Sequence, residues 1–205
     1  MSYSNFMEAR VLNLFRNVSG AIATVFVSLH SADPGETGAN EVAGGSYARQ
    51  AVTFSDPAGG NTCSNTALLE FLNLPAVDLV AVGLWDAVTA GNHLGNGWLG
   101  GFAERPFTSD LADVVTSPGH GYANGDRVVF SAEDIGALPT GVVAGTLYFV
   151  RDVTTDTFKV AATSGGAAID LTTVGSGKVR KVAVQTVSAG TNFQIAIGDL
   201  DLFQF

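Results

Sequence analysis

Residues 77–86 read VDLVAVGLWD, and this run decides the fold class. Leu79, Val80, Ala81, Val82 and Leu84 fall on both phases of a two-residue repeat. A segment apolar on both faces reads as a buried central strand. Trp85 at its end reads as a core residue, and Asp86 beside it is placed to close the next loop. Shorter β runs lie upstream at 21–29, 47–54 and 66–72, rich in Val, Phe and Leu. Downstream, Asn96-Gly97 reads as a tight turn, because both positions tolerate positive φ. Trp98 to Phe102 then returns as another strand.

The N-terminus breaks this pattern. Phe6, Met7, Val11, Leu14 and Phe15 recur at steps of three and four, which predicts a helix over 3–17. Ser4 or Asn5 is placed to cap it, and Gly20 lies just beyond its end. The stripe packs on the adjacent sheet or docks on a neighbouring subunit. At the other end, NFQIAIGDLDLFQF puts Phe193, Ile195 and Ile197 on one face and Leu200 and Leu202 on the opposite phase. One extra residue at Gly198-Asp199 restores a single apolar face, which predicts a β-bulge there. Unbroken ladder pairing through 197–200 is the observation that refutes it.

Between 113 and 179 the texture changes to Gly, Thr and Val. TLYFVRDV and DTFKVAAT, separated by Thr154-Thr155-Asp156, read as a hairpin. This segment is expected to be a small all-β domain inserted into a body formed by 1–112 and 180–205. Gly119 and Gly121 mark its entry, and Gly175 and Gly177 its exit. The expected whole is mainly β: an antiparallel, jelly-roll-like β-sandwich with one N-terminal helix and an inserted β module.

Composition narrows the function. The chain has 205 residues with 19 acids against 10 bases, a net charge of −9, so a phosphate-neutralising nucleic-acid binder is not expected. A mean hydropathy of +0.28 excludes a disordered chain. Twenty-five glycines favour turns and short strands over long helices. No apolar run approaches the ~18–20 residues of a membrane helix, so no membrane insertion is expected. The start, MSYSNFMEAR, has no basic region followed by an apolar core, and no secretory signal is expected. The lone Cys63 rules out an intrachain disulfide framework and fits a reducing compartment.

The candidate chemistry is sparse. Gly95 to Gly100 spells G-x-G-x-x-G, but Gly101 and Arg105-Pro106 follow instead of a helix, so these read as turn glycines. His30, His93 and His120 lie far apart, with none at the spacing of a metal or proton-transfer pair. No G-x-S-x-G elbow is present. In Asp33-Pro34-Gly35-Glu36-Thr37-Gly38, two carboxylates fall short of the ~6–8 oxygens that Ca²⁺ requires. A turn held by the Asp33 side chain is the favoured reading, with contact to a neighbouring protein as the other. Trp98, after a turn, is a candidate exposed contact. No catalytic residue, metal or cofactor is assigned.

Three stretches carry a resemblance: LHSADPGETGANEVAGGSYARQ (29–50), VGLWDAVTAGNHLGNGWLG (82–100) and VSAGTNFQIAIGDLDL (187–202). Together they resemble a family of tailed-bacteriophage virion proteins, the tail-fibre-like or minor tail proteins. The middle segment, from GHGYANGDRVVFS to the Gly-rich exit, resembles a second, mobile phage module. The resemblance implies a non-enzymatic structural protein of the virion, made in the host cytoplasm. It implies packing against other virion proteins, and homo-oligomerisation, a trimer being the expected form. Low charge suits such interfaces. Two other readings stay open: a capsid decoration or head-fibre protein, and an adhesin that touches a host-surface glycan or receptor through the inserted module. A polysaccharide-degrading enzyme needs two carboxylates in a cleft, and the absence of a β-helix-type repeat argues against it.

Overall fold

A computed structural model describes residues 2–16, 18, 20–57, 62–101, 103–132 and 136–203. In chain order, β1 (Ser2–Tyr3) leads into α1 (Asn5–Leu14). Then come β2 (Val25–His30), β3 (Gln50–Val52), β4 (Thr62–Ser64), β5 (Leu69–Phe71), β6 (Val77–Leu79), β7 (Ala81–Trp85) and β8 (His93–Trp98). Six more strands follow: β9 (Arg105–Ser109), β10 (Val115–Thr116), β11 (Arg127–Ser131), β12 (Tyr148–Arg151), β13 (Thr157–Ala161) and β14 (Ser176–Val182). The chain ends with β15 (Gln185–Val187), β16 (Phe193–Ile195) and β17 (Asp201–Phe203). The mainly β, antiparallel character, with a single short helix among the described residues, is what the patterning predicts.

The chain divides into two units, Met1–Leu99 with Gln185–Phe205, and Gly100–Val184. The first is built on a five-stranded sheet in the order β1-β8-β7-β2-β3. Every residue of β7 is buried, so the run apolar on both faces does form an interior strand, between β2 and β8. The longer run 77–86 is nevertheless split. Val80 separates β6, which pairs with β15, from β7. Two further ribbons, β5 with β16 and β4 with β17, complete this unit. Leu29, Phe71, Leu74, Leu79 and Leu200 share its core.

The helix is shorter than 3–17 and its stripe is only half used. The Ser4 side chain caps it by accepting the Met7 N–H at 3.3 Å, and its own hydroxyl donates to the His93 carbonyl oxygen. Phe6 and Met7 lie against the core. Leu14 and Phe15, assigned to the same stripe, are 57% and 86% exposed. The Asn96-Gly97 turn is overturned. Both residues lie inside β8, paired with Gly83 and Val82, so sheet pairing overrides the local turn preference. The strand ends at Trp98 and the chain turns at Gly100 and Gly101, both with positive φ. Phe102 lies outside the described residues.

The second unit is a closed barrel in the order β10-β13-β12-β11-β14-β9, with β9 joined to β10. Phe107, Val128, Phe130, Phe158 and Val179 fill it. The Thr154-Thr155-Asp156 hairpin joins β12 to β13. The expected limits of 113–179 are too narrow. β9 pairs with both β10 and β14, so barrel closure draws in residues on each side. Gly119, Gly121, Gly175 and Gly177 are therefore interior to the unit and do not border it. The Gly119 N–H donates to Asp156 Oδ1 at 2.8 Å, and the Gly175 N–H to Ser109 Oγ at 2.9 Å. At Gly177 a Cβ would stand 2.4 Å from the Ser131 carbonyl oxygen.

Pairing along the C-terminal ribbon breaks between β16 and β17. Five residues, 196–200, intervene there, against four, 65–68, between the partner strands β4 and β5. The buried Asn65 holds this gap. Its Oδ1 accepts the Gly198 and Leu200 N–H groups, and its Nδ2 donates to the Ala67 and Ala196 carbonyls. Gly198 takes φ +83 and Asp199 N–H closes a turn on Ala196 O.

Candidate functional site

The distinctive stretches of the first unit converge on one face of its sheet. Ser28 and His30 alternate along β2, so both side chains project the same way. Gly83 stands opposite Ser28 on β7. A Cβ there would lie 2.6 Å from both Ser28 Oγ and His30 Nε2, so only glycine leaves room for their contact. Ser28 Oγ and His30 Nε2 are 2.6 Å apart, and His30 Nδ1 is 2.7 Å from the Ala39 carbonyl oxygen. A carbonyl only accepts, so Nδ1 carries the proton and Nε2 accepts from the Ser28 hydroxyl. Ser28 Oγ accepts in turn from the Trp85 Nε1–H at 2.9 Å. The chain of donors is complete only with a neutral imidazole. Burial accordingly lowers the His30 pKa from 6.5 to about 4.

The DPGETG loop lies over this network. Asp33 Oδ1 accepts the Gly35 N–H at 3.0 Å, the side chain–backbone turn expected of an Asp at that position. Glu36 Oε2 accepts the Asn5 N–H at 2.8 Å, at the first turn of α1, where helix N–H groups lack partners. Asn96 Nδ2 donates to the Gly35 carbonyl, and His93 Nδ1 to that of Glu36. Gly38 rests on the Trp85 indole, where a Cβ would stand 2.2 Å from Cζ2. Arg49 completes the arrangement. Its guanidinium carbon is 3.5 Å from the Trp85 ring centroid, and it grips both Glu41 oxygens. It also donates to the Ala87 and Ala90 carbonyls. Tyr47 OH donates to Glu41 Oε1 and accepts the Leu29 N–H, and burial raises its pKa. Asp86 closes the 87–91 loop by accepting both the backbone and side-chain N–H of Asn92.

Ser28 and His30 form the first two members of a nucleophilic triad, but not the third. The group on Nδ1 is a carbonyl, which does not stabilise an imidazolium as a carboxylate does. Both residues have 0% exposure, so no substrate atom reaches Oγ in this fold. Among the described residues no group of three or more His, Cys, Asp and Glu is placed to hold a metal. No helix among them is long and apolar enough to cross a membrane.

Of the residues singled out as contacts, Asp33 and Glu36 share the loop just described. Trp98 is half-buried at the end of β8, paired with Ala81. His30 and His93 belong to the network, and His120 to the barrel. There, Arg105, His120, Tyr122 and Lys181 line a surface cavity of about 190 Å³. His120 Nδ1 accepts the Tyr122 N–H, and Lys181 pairs with Asp126 at 2.9 Å. Ser28, Glu41 and Arg49 were not singled out in the sequence. The signal that locates Arg49 is its place in GGSYARQ, four residues after Gly45, whose close approach to Asn73 fixes that turn.

No curated protein matches this chain. Residues 2–103 match the family described as podophage GP4 fiber I protein gp80. The match takes in α1, the whole network from Asn5 to Asn96, and the first residues of the second unit, and it stops before β9. This match, over the residues whose motifs are locked to one another, supports a phage fibre-like protein.

Proposed function

We propose that this chain is a non-enzymatic structural subunit of a tailed-phage fibre, which assembles with copies of itself and with other virion proteins. The supporting observation is how the family-matched residues are used. Residues that bind ligands gather on exposed loops, where their polar groups must be free for the ligand. Here the polar groups of DPGETG, GGSYARQ and GLWD mostly bind one another, and Trp85, Arg49, Glu41 and His30 are locked by two or more contacts each. Such a network fixes one rigid shape, which is what a mounting piece requires. Quantitative mass spectrometry of purified virions with gold labelling tests this. A few copies per particle, labelled on the tail, is the expected result. Absence from particles, or the copy number of the capsid lattice, refutes it.

Contact between the barrel and a host-surface glycan is a second reading, favoured by Arg105 beside the Tyr122 and His120 rings at the cavity. Glycan-array binding that Arg105→Ala abolishes supports it, and an array with no binding removes it.

A further inference from the structure

The outward face of α1 is apolar at its centre and charged at its ends. Glu8, Ala9 and Leu12 lie on the helix, and Phe15 at its C-cap and Arg16 in the turn just after it continue the spacing of three and four. Leu12 is 65% and Phe15 86% exposed, and Glu8, Ala9 and Arg16 are exposed as well. The helix cannot roll to hide them. Phe6 and Met7 are seated on the core, and Arg10 donates to the Gly20 and Ala21 carbonyls from the opposite side.

We infer that this face pairs with α1 of a second copy, antiparallel, about a two-fold axis at Leu12. In a two-fold contact, residues equally spaced on either side of the axis face each other. Leu12 meets Leu12. Four residues out, Glu8 meets Arg16 of the second copy, so acid faces base twice. Three residues out, the small Ala9 meets the large Phe15 ring. One Arg16 N–H is used by Asn13 Oδ1 at 3.1 Å, and a guanidinium has five donors in all. A parallel three-fold bundle on the same face brings Glu8 against Glu8, so the charges choose the antiparallel pair over a helical trimer. One short helix pair falls below the ~1,000 Å² of a stable interface, so the contact is weak alone. It acts where copies are already tethered at high local concentration. This deepens the self-assembly part of the proposed fibre function and uses nothing about position on the particle.

The test is sedimentation of the full chain over a concentration series. The expected result is a monomer–dimer equilibrium. Glu8→Arg or Arg16→Glu should each weaken it roughly tenfold or more. The double variant should restore it, and Leu12→Lys should abolish it. Unchanged melting of each variant shows that the fold is intact, as exposed positions allow. In a Cys63→Ser background, Glu8→Cys and Arg16→Cys chains should form a disulfide only when mixed. Three results overturn the inference: no association at any concentration, an oligomer that survives Leu12→Lys, or Glu8→Cys chains that cross-link to themselves. The second leaves self-assembly standing without this contact. Absence from virions overturns the fibre reading and leaves the helix pair untouched.

Discussion

Acid should loosen the first unit through His30. The folded imidazole titrates at about 4, against 6.5 when free. Its folded pKa is depressed, so the unfolded chain binds the proton first as pH falls. The stability it contributes is complete above pH 6.5 and is lost between 6.5 and about 4. That gap corresponds to ~3 kcal/mol, a large share of the stability of an ordinary domain. The structural cause is specific. A proton on Nε2 leaves the Ser28 hydroxyl hydrogen without its acceptor, while Trp85 already donates to the same oxygen. His93, also lowered by burial, adds in the same direction. Asp86 is lowered too, burial being outweighed by the Asn92 hydrogen bonds, and its loss falls at more acid pH. The assay is urea unfolding followed by Trp85 fluorescence in a Trp98→Phe background, which reports this unit alone. His30→Gln lowers stability at neutral pH but should flatten the slope across that window. A flat wild-type profile, or an equal slope in His30→Gln, refutes the reasoning.

Three further outcomes follow from the same geometry. Gly38→Ala combines φ +69 with a Cβ 2.2 Å from the Trp85 ring, and should cost at least ~2 kcal/mol in the same unfolding assay. Asn65→Ala strips the side-chain partner from the Leu200 N–H and from the Ala67 and Ala196 carbonyls and should cost ~3 kcal/mol, with faster amide exchange at Leu200 than at Gly198, whose N–H keeps the residue-65 carbonyl as acceptor. Excising the barrel should leave a folded body, because the Leu99 N–H bonds to Val80 and Gln185 pairs with the adjacent Leu79. Joining Leu99 to Gln185 through a short linker should preserve a cooperative thermal transition, and its loss counts against the two units folding separately.

The legible parts of the fold were those set by local pattern. β7 announced itself because its five successive residues, apolar or glycine, suit a strand buried on both faces. The Thr154–Asp156 hairpin did so because its turn is local. The Asn96-Gly97 reading failed because β8 is held by partners on β7, which sequence-local turn rules do not see. The barrel limits failed for a related reason. β9 alternates weakly, with only Phe107 buried, and its place is set by β14 some 70 residues later. In the site, Asp33 was readable as a turn former because its partner is two residues away. Ser28 was not, because its meaning depends on Trp85, 57 residues off, and on the missing Cβ of Gly83.

The strand order also bears on how such a chain tolerates crowding. A sheet edge offers a row of free N–H and C=O groups to any neighbour, and crowded copies zip together through such rows. The second unit closes its ladder on itself and offers no open edge among its described strands. The first ends its main sheet in β1 and β3, two and three residues long, and its three two-stranded ribbons are built of three-residue strands, all too short to template a partner strand. Two different devices thus remove the same hazard. Copies massed side by side are left to meet through side chains, whose shape and charge can choose a partner, instead of through backbone, which cannot.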